Sequence, residues 1–181
     1  MMHKIICALP LVPFLTACGG EAPSTVEAPR LAVHERVELN APAEAVWQKI
    51  KDFNALHRWL PTIAKTEIIR GANNQPGAVR RLSLKAGGTV EQELLAYVPG
   101  DMRYTYRIIR GALPVSDYES TIAVQPIGGN RSIVTWSSHF RRKDTRENPT
   151  QDANNKAAID AVKSAYKSGL SNLKKMVERG N

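Results

Sequence analysis

Few side chains here combine the type and the setting that catalysis needs, and Glu93 is the first of them. It lies in segment 89–98, where Val90, Gln92, Leu94 and Ala96 alternate with Glu91, Glu93, Leu95 and Tyr97, the period-2 pattern of a strand with two unlike faces. A carboxylate turned inward among apolar neighbours has its pKa pushed up by desolvation and can serve as a general base. The same carboxylate can instead hydrogen-bond to Tyr106, Tyr118 or Arg80 and fix water or a ligand's polar group without turnover. The second reading is preferred, because proton transfer needs a partner group. A tyrosine, or His57 or His139, could supply it, but each histidine is a lone one of the kind that is usually solvated or packed.

Other chemistries find less. No serine sits in a Gly-x-Ser-x-Gly elbow, and Gly87-Gly88 and Gly128-Gly129 lack the lysine and threonine of a phosphate loop, so both are turns. His3, His34, His57 and His139 are never closer than 23 residues apart, which leaves no local metal-ligand cluster. With only Cys7 and Cys18 there is no disulfide scaffold. Nothing supports a metal or an organic cofactor.

The elements that must position these residues begin after an address. Lys4 precedes an apolar run from Ile5 to Ala17, too short to span a membrane and the right length for a signal peptide, residues 1–17. Leu15-Thr16-Ala17-Cys18 resembles the bacterial lipobox, which predicts cleavage before Cys18 and its lipidation. Gly19 stands where an inner-membrane retention aspartate would, so the expected location is the outer membrane, facing the periplasm. Residues 18–30, rich in Gly, Pro, Ser and Glu, read as a flexible tether, and 31–181 as one domain.

In that domain, Leu31, Val33, Val37 and Leu39 mark a first strand. Asn40 is a candidate cap and Pro42 a first-turn residue for a helix to about Asp52, followed by a short helix over 56–60. Six strands are then predicted at 63–70, 77–85, 89–98, 102–110, 117–127 and 131–141, joined by short Gly, Asn and Pro turns that favour an antiparallel meander. A long last helix carries an apolar stripe, Val162, Tyr166, Leu170, Leu173 and Val177. Beside it runs a row of small residues, Ala157, Ala161, Ala165 and Gly169, which allows close packing or leaves a space. Trp47, Trp59 and Trp136 are expected in the core.

Several pieces in order resemble the START-related superfamily, which includes the birch-pollen allergen, the polyketide cyclase/dehydrase-like proteins and the plant abscisic acid receptors. They are Pro42-Ala43-Glu44-Ala45-Val46-Trp47, Trp59-Leu60-Pro61, Gly77-Ala78-Val79-Arg80, Glu93-Leu94, Tyr104-Thr105-Tyr106 and Pro114-Val115-Ser116-Asp117-Tyr118. The resemblance covers about 33–178 and implies an α+β helix-grip fold, a curved seven-stranded antiparallel sheet wrapped on a long C-terminal helix around a cavity. It is similar in flavour to bacterial secreted members, some of them linked to periplasmic methanol oxidation. It places Glu93 inward, with Leu60, Tyr106, Ile108, Leu113, Tyr118, Ser120, Ala161, Ala165 and Gly169 around a small hydrophobic ligand. The receptors' pocket lysine falls on Leu60, and their gate and latch fall on altered loops at 85–90 and 111–115, so hormone binding is not carried over.

The chain is basic, +8 overall, with ten Lys or Arg against five Asp or Glu in residues 141–181. An exported protein meets little nucleic acid, and none is expected as a partner. Anionic lipid or an acidic periplasmic protein is the better functional match, and a plain solvated helix face the commoner one. The expectation is therefore an envelope-tethered carrier or sensor for a small hydrophobic molecule. The alternatives are a cyclase or dehydrase using Glu93, and an accessory protein that docks on a redox enzyme through its basic last helix.

Overall fold

Leu31–Leu39 (β1) pairs along its length with Ser132–Arg142 (β7), from Leu31 opposite Phe140 to Leu39 opposite Ser132, so the first and last strands lie side by side. The computed structural model describes residues 27–179. The predicted signal peptide, Cys18 and most of the tether fall outside them. The remaining strands are Ile63–Arg70 (β2), Val79–Leu84 (β3), Thr89–Val98 (β4), Arg103–Gly111 (β5) and Val115–Pro126 (β6). They form one antiparallel sheet in the order β1-β7-β6-β5-β4-β3-β2. Ala43–Ile50 (α1) and a 3-10 segment, Phe53–Arg58, follow β1, and Asn155–Glu178 (α2) ends the described chain. This is the α+β helix-grip arrangement that the resemblance implied, with all seven strands near their expected places.

The helix starts show what local sequence does and does not decide. Asn154 caps α2 by accepting a hydrogen bond from the Ala157 amide, 2.9 Å away. Asn40 does not cap α1. Pro42 is the N-cap residue there, and the Asn40 amide instead donates to Glu178 Oε1 (3.1 Å), joining β1's end to the last turn of α2.

Two bulges between β4 and β5 decide which side chains face the core. Glu91 pairs with Arg110 but Gln92 with Ile108, leaving Ile109 extra; Leu94 pairs with Tyr106 but Ala96 with Thr105, leaving Leu95 extra. Each extra residue reverses the alternation beyond it. Tyr97 therefore turns back to the core side, 5.9 Å from the Trp47 ring, although simple alternation put it with Glu93. β5 can end against β4 only because Gly111 has no side chain: a Cβ there would lie 2.8 Å from Thr89 O.

The core lies between the sheet and the two helices. Val162, Tyr166, Leu170, Leu173 and Val177 are all buried, as their spacing predicted, and so are Trp47, Trp59 and Trp136. Burying such a face supplies most of a helix's stability in water. The chain enters the domain under a clasp: the Arg141 guanidinium donates to Ala28 O and pairs with Glu27 (2.9 Å) and Asp117 (3.5 Å).

Candidate functional site: a lined cavity with a buried cation behind it

Between α2, the 3-10 segment and the concave face of the sheet lies a cavity of about 510 Å³. Leu56, Leu60, Ile63, Leu82, Leu84, Val90, Ile108, Leu113 and Val162 give it mostly apolar walls. Ala161 and Ala165 of the small-residue row line it too, so that row leaves room as well as allowing close packing. Gly169 belongs to the other use. A Cβ added there would lie 3.0–3.1 Å from Leu60, Trp59 and Trp136, so this glycine lets α2 press onto the two indoles.

The sequence-predicted residues come together unevenly. Leu60, Tyr106, Ile108, Leu113, Tyr118, Ala161 and Ala165 line the cavity, while Ser120 lies one layer behind the wall and Gly169 is part of the packing. Glu93 is on the wrong side of the sheet. Its carboxylate accepts from Arg107 Nε (2.7 Å) and pairs with Arg70 (3.5 Å), two largely exposed arginines on the outer face. The inward reading of Glu93 is therefore corrected: Val90, Gln92 and Leu94 point in, as their own alternation with two aliphatic neighbours already implied. Neither His57 nor His139 is among the lining residues.

The inward polar residue is Gln92, and behind it stands Arg80, fully buried on the neighbouring strand. Arg80 Nε and Nη2 donate to Gln92 Oε1 at 2.8 and 2.6 Å, and Nη1 donates to Phe53 O at 2.6 Å. Its guanidinium carbon lies 3.9 Å from the Phe53 ring centre and 5.2 Å from that of Tyr106. No carboxylate takes part in this network. Desolvation lowers the Arg80 pKa, partly offset by the neighbouring tyrosines, but an arginine keeps its proton at neutral pH. A cation thus stands in the core, held by neutral acceptors and aromatic faces.

A second polar cluster crosses from the sheet to α2. Tyr118 Oη lies 2.5 Å from Tyr166 Oη, which lies 2.6 Å from Ser120 Oγ. Ser120 Oγ donates to Ser137 O at 2.9 Å, and Trp136 Nε1 donates to both Ser120 Oγ and Tyr106 Oη at 3.1 Å. The Trp136 and Tyr166 rings stack, 4.1 Å apart. Burial holds Tyr118 and Tyr166 well above the ordinary phenol pKa, so both are neutral hydroxyls, donors rather than bases. Lys85, exposed where the 85–90 loop meets the cavity, is the one charged residue of the lining.

Sequence reasoning named Arg80 only as a partner for Glu93, and did not single out Gln92 or Lys85 as site residues. The alternation of Val90 and Leu94 carried the signal for Gln92; an arginine beside hydrophobic Val79 and Leu82 carried a weaker one for Arg80. Among the described residues no group of three or more His, Cys, Asp or Glu is placed to hold a metal, and no helix is long and apolar enough to cross a membrane.

Comparisons agree with this architecture. A crystal structure of an aromatase/cyclase, Zhui, from Streptomyces sp. R1128 superposes with a TM-score of 0.66 at 18% identity, covering 83% of this chain and 95% of that one. A START superfamily protein from Mycobacterium smegmatis gives 0.66 and 18%, covering 83% and 99%. The protein XoxI from Bacillus cereus gives 0.71 at 30% identity, covering 81% of this chain and 95% of that one. No curated protein matches. The family described as polyketide cyclase/dehydrase and lipid transport matches residues 30–178. With the helix-grip sheet, the apolar-walled cavity and that match over nearly the whole described chain, this protein belongs to the polyketide cyclase/dehydrase and lipid transport family.

Proposed function

We propose that the chain binds a small apolar molecule in this cavity and acts as a carrier or sensor tethered to the bacterial envelope through a lipidated Cys18. The carrying observation is the cavity itself, about 510 Å³, within the range of small-molecule sites and walled by aliphatic and aromatic side chains with a few convergent polar groups. Enclosure supplies affinity, and the polar groups set orientation. The turns at 85–88 and 112–114 contribute Lys85, Ala86 and Leu113 to the lining.

The cyclase reading loses its specific support. It gave Glu93 the proton transfer, yet Glu93 is held by outer-face arginines, and the lining residues include no carboxylate or imidazole to replace it. The docking reading placed a redox enzyme on the basic last helix. There Lys156 pairs with Asp160, Lys163 with Glu35 and Lys174 with Glu178, so part of that helix's charge is already paired within the domain.

Native mass spectrometry of protein purified without detergent, followed by solvent extraction, tests the binding reading. A discrete apolar compound at near-equal stoichiometry is the expected result, and a chain that arrives empty and takes up no apolar probe would sink it. For the anchor, radiolabelled palmitate is expected to label the chain in cells and not its Cys18→Ser variant; equal labelling of both would remove the lipid from the proposal.

A further inference from the structure

We infer that the cavity floor holds a subsite for a carboxylate, built from the Gln92 amide and the Tyr106 hydroxyl, so that the bound molecule is an apolar body ending in an anionic oxygen. The inference rests on the cavity-binding reading above and deepens it.

It follows from counting protons. Arginine can only donate, so the two bonds from Arg80 fix Gln92 with its oxygen toward the guanidinium and its NH2 group turned away. Gln92 is 5% exposed and lines the cavity, and no described protein acceptor takes its two amide hydrogens. In the second cluster every hydroxyl but one is committed. Ser120 gives its proton to the Ser137 carbonyl, so it accepts from Tyr166, and Tyr166 in turn accepts from Tyr118. Tyr106 Oη accepts from Trp136 Nε1 and donates to no described residue. Tyr106 is 2% exposed and also lines the cavity.

These two unspent donors are neighbours. Gln92 faces Ile108 and Leu94 faces Tyr106 across β4 and β5, which makes Gln92 and Tyr106 diagonal partners on the inner face, a spacing that long side chains can bridge. Gln92 Nε2 is not one of the sealed, unpartnered atoms of the core, so it opens on the cavity, where an anionic oxygen accepts a charge-assisted hydrogen bond. The charge selects among oxygens. Arg80 touches both residues, through Gln92 Oε1 and the Tyr106 ring, and has no carboxylate of its own, so an anion at this spot also offsets an uncompensated core cation.

The test uses the Cys18→Ser chain, with the neutral fluorophore N-phenyl-1-naphthylamine as reporter of the cavity and decanoate, decanol and decane as competitors at pH 7.5. Decanoate is expected to displace the reporter at least tenfold better than decanol. Gln92→Glu places a carboxylate against Arg80 and removes the donors, and Tyr106→Phe removes one hydroxyl. Gln92→Glu is expected to cut the decanoate preference at least tenfold and Tyr106→Phe several-fold, each read as the ratio of decanoate to decanol displacement within that variant, with a cooperative thermal melt showing that each is folded. Reporter bound by every protein without a decanoate preference overturns the subsite and leaves the cavity reading standing. A preference abolished by Lys85→Ala yet kept by Gln92→Glu overturns it too, placing the anion at the mouth. Failure of any protein to bind the reporter overturns both.

Discussion

A single residue step separates Glu93 from Gln92, and it changes which chemistry the molecule can do. Alternation alone named the two faces of β4 correctly as far as Leu94; the family resemblance then chose the wrong one. Val90 and Leu94 are both essentially buried, and two aliphatic residues flanking Gln92 at spacing two are the stronger physical argument. Arg80 was legible only as a type, because burial of an arginine without a carboxylate depends on Phe53, Gln92 and Tyr106 converging from three separate elements. Replacing Arg80 by Met keeps the volume but leaves Gln92 Oε1 and Phe53 O without donors. Each buried orphan costs about 1–3 kcal/mol, so urea unfolding of Arg80→Met is expected to show a loss of about 2–6 kcal/mol. A loss below about 1 kcal/mol would mean the network contributes little.

At the scale of elements, the sequence was most readable where a pattern ran long. The stripe of α2 and the strand β1 fall where periodicity placed them, since each buries one face along its length, and β2 and β4 keep their expected bounds although bulges break their alternation. What could not be read were the bulges at Leu95 and Ile109, because a bulge is settled by the partner strand's register. The small-residue row of α2 splits into two functions that spacing cannot tell apart, since which residues face the void depends on how the helix lies on the sheet. Ala161→Phe is therefore expected to fill the cavity, lowering reporter affinity more than tenfold while the chain still folds. Gly169→Val is expected to do the reverse. Its added side chain meets Leu60 and two indoles, so overpacking lowers stability by about 1–3 kcal/mol in a thermal or urea melt. If Gly169→Val melts like the parent, the tight seam between α2 and the sheet is not as rigid as described.

Across the whole molecule, the acid response follows from carboxylates whose pKa values folding depresses. Asp144 falls from its ordinary 3.8 to about 2, first because Arg146 hydrogen-bonds it through its side chain and then through its backbone amide. Glu91 is lowered by Arg110 and Arg81, and Glu67 by Lys65. A depressed folded-state pKa stabilises the fold above the unfolded value, and that contribution disappears as pH falls through the folded value. Stability is thus expected to hold near neutral pH and to fall between about pH 4 and pH 2. Thermal midpoints of parent and Asp144→Asn should differ at pH 6 and converge near pH 2. A gap that persists at pH 2 would mean that the charge on Asp144 is not what matters.

The Arg141 clasp on Glu27 and Ala28 also has a geographical consequence. Asp117, its third partner, lies near the start of β6, just after the 112–114 turn whose Leu113 lines the cavity. Eight residues lie between Cys18 and Glu27, a leash of no more than about 32 Å over nine steps at full extension. With its cysteine acylated as proposed, the domain cannot roam the compartment. Its doorway stays within a few nanometres of the bilayer, so a lipophilic cargo could pass between leaflet and protein without crossing bulk water, and traffic would be governed by two-dimensional encounter.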